Sequence, residues 1–480
     1  MLQIQVIFAS SLLQIYCIFA SSLLQNSLIA LFWQFKIGFI TITNLILSAE
    51  NEYIEMTIHR NAYKKLIEWK TSTDRKPILL RGARQVGKTT LIREFAREFD
   101  SYIELNLEKE ADRKIFLIDD IEKILNAAYL LKKTGLGKNT TLLFIDEIQE
   151  SPKAIKQLRY FYEEKPEIHI IAAGSLLEFA LRKVPSFPVG RIDYLYLHPL
   201  NFEEYLGGIN NNQAIKALQT VPIPDYAHHI LLDLFHEYAI IGGMPEIVSQ
   251  YILDKNISIL TKKYNKLWQA YKDDVGKYAR NSTESKVIGH VIETAPYEAD
   301  RIKFEGFGKS NYRSREVGEA LRSLDLARIV RLIYPTTSVI PPIVTDFKKS
   351  PRLQFLDTGM LNQVLLMQGE MIGLNDLTGF HRGRIIQHLV GQELISIHEE
   401  VAYKTHFWVR EEKDSNSEVD LVYRIGKYNV PIEIKSGKQG KLKSLHQFVE
   451  RTNHPYAVRM HAGDFKIEKV KTPSGKFYLL

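Results

Sequence analysis

The chain has 480 residues, 45% of them hydrophobic and 25% charged, which is material for two to four folded domains. Lysine plus arginine (63) exceeds aspartate plus glutamate (56), leaving +7; this suits a phosphate-rich partner without demanding one. The single cysteine, Cys17, excludes a disulfide framework and any multi-cysteine zinc, iron-sulfur or haem site, and a reducing cytosol fits.

Residues 1–55 read as an apolar leader. Between Met1 and Ala49 the only charge is Lys36, and Ile4 to Leu24 and Leu28 to Leu47 each have about the twenty residues that a membrane span needs. Gln14, Gln34, Lys36 and Asn44 weaken both spans. No basic stretch precedes the apolar run, so a secretory signal is not expected. The eight letters from Ile7 to Gln14 recur unchanged from Ile18 to Gln25, a coincidence on the order of one in a billion from average residue usage. A duplication in the encoding nucleic acid explains it. The expectation is a cytoplasmic protein starting near Met56 with no stable membrane partner; the alternatives are a membrane hairpin or a disordered leader.

From Arg75 onward short apolar runs alternate with amphipathic stretches, the pattern of an α/β fold with a parallel sheet. Strands are expected at Pro77 to Arg81, Tyr102 to Leu107, Thr141 to Asp146, Ile168 to Gly174 and Ile192 to Leu197. Helices are expected at Thr89 to Phe99, Lys153 to Glu164 and Leu176 to Arg182.

The first strand ends in Gly82-Ala83-Arg84-Gln85-Val86-Gly87-Lys88-Thr89-Thr90, a P-loop in strand-loop-helix context. The glycines let backbone N–H groups wrap an anion, Lys88 supplies a cation to the β and γ phosphates, and Thr89 offers a hydroxyl to Mg²⁺. The third strand ends in Asp146-Glu147, placed to hold the Mg²⁺ shell and to polarise a water. Ser175, after the fourth strand, either reads the γ-phosphate or caps a helix. Arg191, before the fifth, is a candidate arginine finger acting in cis or from a neighbouring subunit, or a surface arginine.

GARQVGKTT, LLFIDEIQ, AAGSLL, the Gly190-Arg191 pair and HPLNFEEYL together resemble the AAA+ ATPases of bacteria and archaea whose C-terminal half is a domain of unknown function. The resemblance implies a core over 56–200 with strand order 5-1-4-3-2, a helical lid over 201–281, a winged-helix-like segment over 282–360 and a C-terminal α/β domain over 371–480 similar to PD-(D/E)xK nucleases. It also implies ATP as ligand and a homo-oligomer as a candidate state. Gly242-Gly-Met-Pro245 resembles a GxP module whose proline lies near the nucleotide base; a loop between helices is the plainer reading.

The pattern from Ser282 to Thr358 suits two helices, a strand from Arg328 to Tyr334 and a proline-rich loop. Arg313, Arg315, Arg322, Lys348, Lys349 and Arg352 would make a basic face for DNA or RNA phosphates, or an ordinary solvated face. Further on, a helix is expected from Arg384 to His398, strands at His406 to Arg410, Glu418 to Ile425 and Val430 to Ser436, and a turn at Gly426 to Asn429. Asp420 with Glu433 and Lys435 supplies two oxygen ligands for Mg²⁺ or Mn²⁺ and a lysine for the attacking water, with Glu393 as a further ligand. An amphipathic strand has the same look. Without the cation, at least one of these acids should have a raised pKa. The function expected is Mg²⁺-ATP hydrolysis coupled to nucleic-acid binding or cleavage. The alternative is an ATP-dependent switch whose inactive C-terminal domain recognises a protein.

Overall fold

The computed structural model describes residues 58–480 except 136–139, 176, 178–189, 299, 368–379, 399–402, 411–416 and 436–441. The leader and the helix expected at Leu176 to Arg182, Leu177 apart, lie outside the described residues.

Strands β1 (Ile78–Arg81), β2 (Ser101–Asn106), β3 (Thr141–Asp146), β4 (His169–Ala173) and β5 (Asp193–Tyr196) form one sheet in the order β2-β3-β4-β1-β5, with every pairing parallel. Read from its other edge, this is the expected 5-1-4-3-2. The period of two sorts the side chains: Ile78, Leu80, Leu142, Phe144, Ile171 and Ala173 enter one hydrophobic layer, and Leu79, Leu143, Ile145, Ile170 and Ala172 enter the other. Central strands buried on both faces must be apolar throughout, which is why they read as continuous runs.

The second layer is covered by α3 (Ile121–Lys132) and α4 (Pro152–Glu164). Ser151 starts α4 by accepting a hydrogen bond from Ala154 N at 3.2 Å, and Pro152 fits its first turn. The first layer takes α1 (Asn61–Thr71) and α2 (Lys88–Phe95) and continues without a break into the following helices. These are α5 (Phe202–Gly208), α6 (Asp225–Ile241), α7 (Pro245–Asp254), α8 (Ile257–Asp273), α9 (Ser282–Thr294) and α10 (Ser314–Leu326). Asn201 and Glu204 close a reciprocal capping box on α5, which fixes the chain direction as it leaves the sheet.

Beyond α10, β6 (Val330–Ile333) pairs antiparallel with β8 (Arg352–Phe355). A second sheet has the order β12-β11-β10-β9-β7, from β7 (Pro335–Thr336), β9 (His406–Val409), β10 (Glu418–Ile425), β11 (Tyr428–Ile434) and β12 (Val458–Met460). The β10–β11 turn is Gly426-Lys427, so Tyr428 and Asn429 belong to the strand and not to the expected turn. Helices of this region include α11 (Phe380–Ile397) and α12 (Lys443–Arg451). On α11, Ile385 and Leu389 enter the large core shared with the first sheet. Val390 and Leu394 of the same helix pack on Leu421, Ile432 and Ile434 of the second sheet.

Candidate nucleotide site

The P-loop backbone bends through left-handed conformations at Gln85 (φ 62) and Gly87 (φ 90), and Gly82 has no room for a side chain because the Leu197 carbonyl of the β5 exit lies against it. Lys88 is buried, with its ammonium donating to the Gly82 carbonyl at 3.0 Å and the Ala83 carbonyl at 2.8 Å. Burial pulls it down to about 8, against the pull of Glu147 and Asp146 in the other direction. Thr89 donates its hydroxyl hydrogen to Asp146 at 2.9 Å. A hydroxyl beside a carboxylate is an oxygen-donor pair suited to Mg²⁺. Burial also raises Asp146 above the usual carboxylate range. Val86 is buried, so it serves the loop as an anchor, while Gln85 and Thr90 are exposed at its rim.

β4 lies between β3 and β1, so Ser175 follows a tip flanked by Asp146 and the P-loop. Glu147 adopts a left-handed conformation (φ 52), and its carboxylate accepts a hydrogen bond from Gln149 Nε2 at 2.5 Å. Arg191 precedes β5, whose Asp193 pairs with Ile78 at the start of β1. The sheet is parallel, which puts Arg191 at the end opposite the P-loop, about four residues or 13 Å of strand away. There it pairs with Glu163 at 3.2 Å. The cis arginine-finger reading is therefore wrong, because strand direction carries this residue away from its own phosphates.

Three tethers hold the P-loop that the motif alone did not reveal. Arg60, buried just before α1, donates to the Val86 carbonyl at 2.9 Å and the His198 carbonyl at 2.6 Å, and pairs with buried Glu204 at 3.2 Å. Arg84 forms an ion pair with Asp274 at the end of α8, and the Tyr271 hydroxyl donates to the Arg84 carbonyl at 2.6 Å. Pro245 opens α7 beside the loop, its Cγ 3.6 Å from where a Cβ on Gly87 would stand. The preceding Gly243 N–H donates to buried Asp357 at 2.6 Å. Arg60, Asp274 and Tyr271 lie far from their targets in sequence, and a long separation leaves no local signal, whereas Pro245 stands in the expected Gly-Gly-Met-Pro segment.

The C-terminal cluster is assembled in part. Asp420 accepts from Ile434 N at 2.7 Å and from Gln387 Nε2 at 3.2 Å, and Lys435 pairs with Glu433 at 2.5 Å. Burial raises both Asp420 and Glu433, and Asp420 raises Glu433 further, the direction expected of acids gathered without a cation. Glu393 is elsewhere. Its carboxylate lies 3.2 Å from Phe202 N and 2.8 Å from the Tyr238 hydroxyl, at the seam between the first sheet's exit and α6. Six residues on a helix separate side chains by about 9 Å and 120°, so when Gln387 faces Asp420, Glu393 faces away; it is not a ligand of that cluster. Arg352, expected on a basic surface, is half-buried and pairs with Glu418 and with Asp300 at 3.1 Å. Arg313, Arg315, Arg322 and Lys348 are exposed, and Lys349 is half-buried. Among the described residues no group of three or more His, Cys, Asp or Glu is arranged to hold a metal ion. Nor, among them, is any helix long and apolar enough to cross a membrane.

Residues 74–206 match the AAA domain family, residues 232–371 a domain of unknown function, DUF8612, and residues 382–475 another, DUF4143. No curated protein matches the sequence. Solved structures similar to the chain include the Walker-type ATPase of Pyrococcus abyssi, with TM-score 0.43 and 14% identity over 64% of this chain and 96% of that one. The RuvB Holliday junction branch migration motor of Thermotoga maritima gives TM-score 0.28 and 17% identity over 61% and 93%. AMPPCP-bound DnaA of Aquifex aeolicus gives TM-score 0.27 and 15% over 55% and 87%. The AAA match lies on the five-stranded parallel sheet and its P-loop, so residues 74–206 form a P-loop α/β domain similar to the AAA domain family.

Proposed function

We propose that the chain hydrolyses Mg²⁺-ATP and that its nucleotide state is read by the C-terminal region through α11. The observation that carries the first half is the convergence of Lys88, the Thr89–Asp146 pair and Glu147 at the tips of β1 and β3, which flank β4. A water oxygen attacks the γ-phosphorus in line, its bond to the β,γ-bridging oxygen breaks, and Glu147 receives the water proton. Lys88 exchanges loop carbonyls for phosphate oxygens, and P-loop N–H groups take the negative charge. Mg²⁺, held by Thr89 and Asp146, supplies charge neutralisation when bound. The test is ATP turnover by the parent, Lys88→Ala and Glu147→Gln: the first variant should lose nucleotide affinity, and the second should bind ATP and turn over slowly. Equal turnover by all three would refute it.

For the second half, α11 carries Gln387 against Asp420 and Glu393 against Phe202 and Tyr238. A helix cannot shift at one end alone, so movement at the exit of β5 reaches Asp420. Two observations support a recognition role for the C-terminal region over a metal-dependent nuclease: Glu393 is engaged elsewhere, and Arg352 and Lys435 already supply positive charge to the acids. Convergence of Asp420, Glu433 and Lys435 is what keeps the nuclease reading, with its second Mg²⁺ or Mn²⁺, in play. The partner is a nucleic acid or a protein. Gel shifts over a salt series separate them, because phosphate binding falls steeply with salt. Arg191 is proposed as a finger acting in trans within a homo-oligomer. The start near Met56 and a cytoplasmic location remain part of the proposal; native peptides from before Met56 would refute the start.

A further inference from the structure

Gln149 sits in the one-turn 3₁₀ segment after β3, two residues beyond the carboxylate that the proposed reaction needs. Its two amide ends do different things. The Nε2 end donates to Glu147. The Oε1 end is buried, and no hydrogen bond reaches it. That oxygen points at Gly174, the residue joining β4 to Ser175, and a Cβ at Gly174 would overlap it and press on the amide carbon. The backbone of Gly174 is not left-handed, so a side chain here would meet the amide and no limit of chain conformation.

We infer that Gln149 is the positioning residue for Glu147 in ATP hydrolysis, an assignment that rests on the ATPase reading above. A carboxylate on a one-turn segment at a strand tip has several rotamers of similar energy. A single amide hydrogen bond, clamped from behind by the β4 tip, selects one of them. The clamp works because β3 and β4 are adjacent and in register, Ile145 opposite Ala172, so both tips reach the same height. The amide thus orders the base while touching neither nucleotide nor metal ligand. Gly174 is part of the same device: it keeps the tip of β4 small enough for the amide to stand upright.

The experiment is a double-substitution cycle on the full chain, with ATP affinity, steady-state kcat and KM, and melting temperature measured for the parent, Gln149→Ala, Gly174→Ala and the pair. Gln149→Ala should lower kcat on the order of 10- to 100-fold with ATP affinity and KM within about twofold of the parent, since positioning a base acts on the chemical step. Gly174→Ala should lower kcat similarly by displacing the amide, and should also lower the melting temperature. In the pair, kcat should be no worse than in Gln149→Ala, and the melting temperature should recover, because the colliding group is gone. Gln149→Glu, which puts a like charge beside Glu147, should be at least as slow as Gln149→Ala. Losses in kcat that multiply in the pair, or a Gln149→Ala protein with parental kcat, would overturn the assignment while leaving ATP hydrolysis intact. A parent that binds ATP and does not turn it over would overturn the hydrolysis reading, and this assignment with it.

Discussion

The Tyr238 hydroxyl lies 2.8 Å from Glu393 and 2.7 Å from the Leu200 carbonyl, one hydrogen between two acceptors. Tyr238 shares its hydroxyl hydrogen between Leu200 and Glu393, its oxygen accepts from Gln392 Nε2 at 3.1 Å, and Phe202 N–H donates to the Glu393 carboxyl group. Burial pushes Glu393 up to about 7, opposed by its hydrogen bonds to Tyr238 and Phe202 and reinforced by Glu204. The seam between the first sheet's exit and α11 is therefore built on a buried acid whose charged form burial disfavours.

A carboxyl whose pKa is raised on folding binds more protons in the native state than in the unfolded chain, so stability falls as pH rises between the two values. For Glu393 this contribution is complete below about pH 4.5 and lost as pH passes about 7. Asp357, pushed up to about 6 by burial, adds in the same direction. Glu393→Gln reproduces the neutral hydrogen-bond pattern. At pH 8 it should be more stable than the parent by on the order of 1–3 kcal/mol, read as a higher melting temperature, and the two should converge near pH 5. A parent and variant with parallel pH curves would contradict this.

Arg60→Ala removes the tie between α1 and Val86 and leaves buried Glu204 without its cation. Loss of one partner from a buried pair costs about 3–5 kcal/mol, and a loosened loop should also raise KM for ATP. Arg60→Lys should recover little, since one ammonium cannot serve two carbonyls and a carboxylate at three sites. Chemical denaturation together with ATP binding checks both effects; a parental KM in Arg60→Ala would remove the positioning role.

Arg84 and Tyr271 join the P-loop to α8. Asp274→Asn and Tyr271→Phe should each uncouple α8 from the loop, seen as ATP-induced protection from hydrogen exchange that is retained in 82–90 and weakened in 257–274. Equal protection of α8 in parent and variants would show that these contacts do not couple it to the loop.

The sheet and its phosphate loop were legible because their physics is local. Central strands buried on both faces must be apolar throughout, and a loop wrapping phosphate must carry glycines, a lysine and a hydroxyl at fixed spacing. Glu147 was legible for the same reason, at the end of an apolar strand. Gln149 lay in the same motif and was passed over, since nothing in the letters says that a glycine 25 residues later backs it. Glu393 was misread because a helix with two packed sides looks, in sequence, like a helix with one; only the tertiary placement of Phe202, 191 residues away, decides which side it faces. Arg352 looked like surface charge because it follows a polar loop, yet β8 carries it inward to Glu418.

If Arg352 and Lys435 satisfy the C-terminal acids, a divalent cation gains little there. Mn²⁺ at about 1 mM should raise the melting temperature of nucleotide-free parent no more than that of Asp420→Asn, because a Kd at or above that concentration yields at most about 0.4 kcal/mol. A rise of several degrees that Asp420→Asn abolishes would restore the nuclease reading.

The central claim is most directly tested by phosphate release from Mg²⁺-ATP by the full chain, with Glu147→Gln measured beside it. The account predicts measurable turnover by the parent and, in Glu147→Gln, ATP affinity within about twofold of the parent with turnover reduced on the order of 100-fold or more. Turnover unchanged in Glu147→Gln, or tight ATP binding by a parent that releases no phosphate, would contradict it.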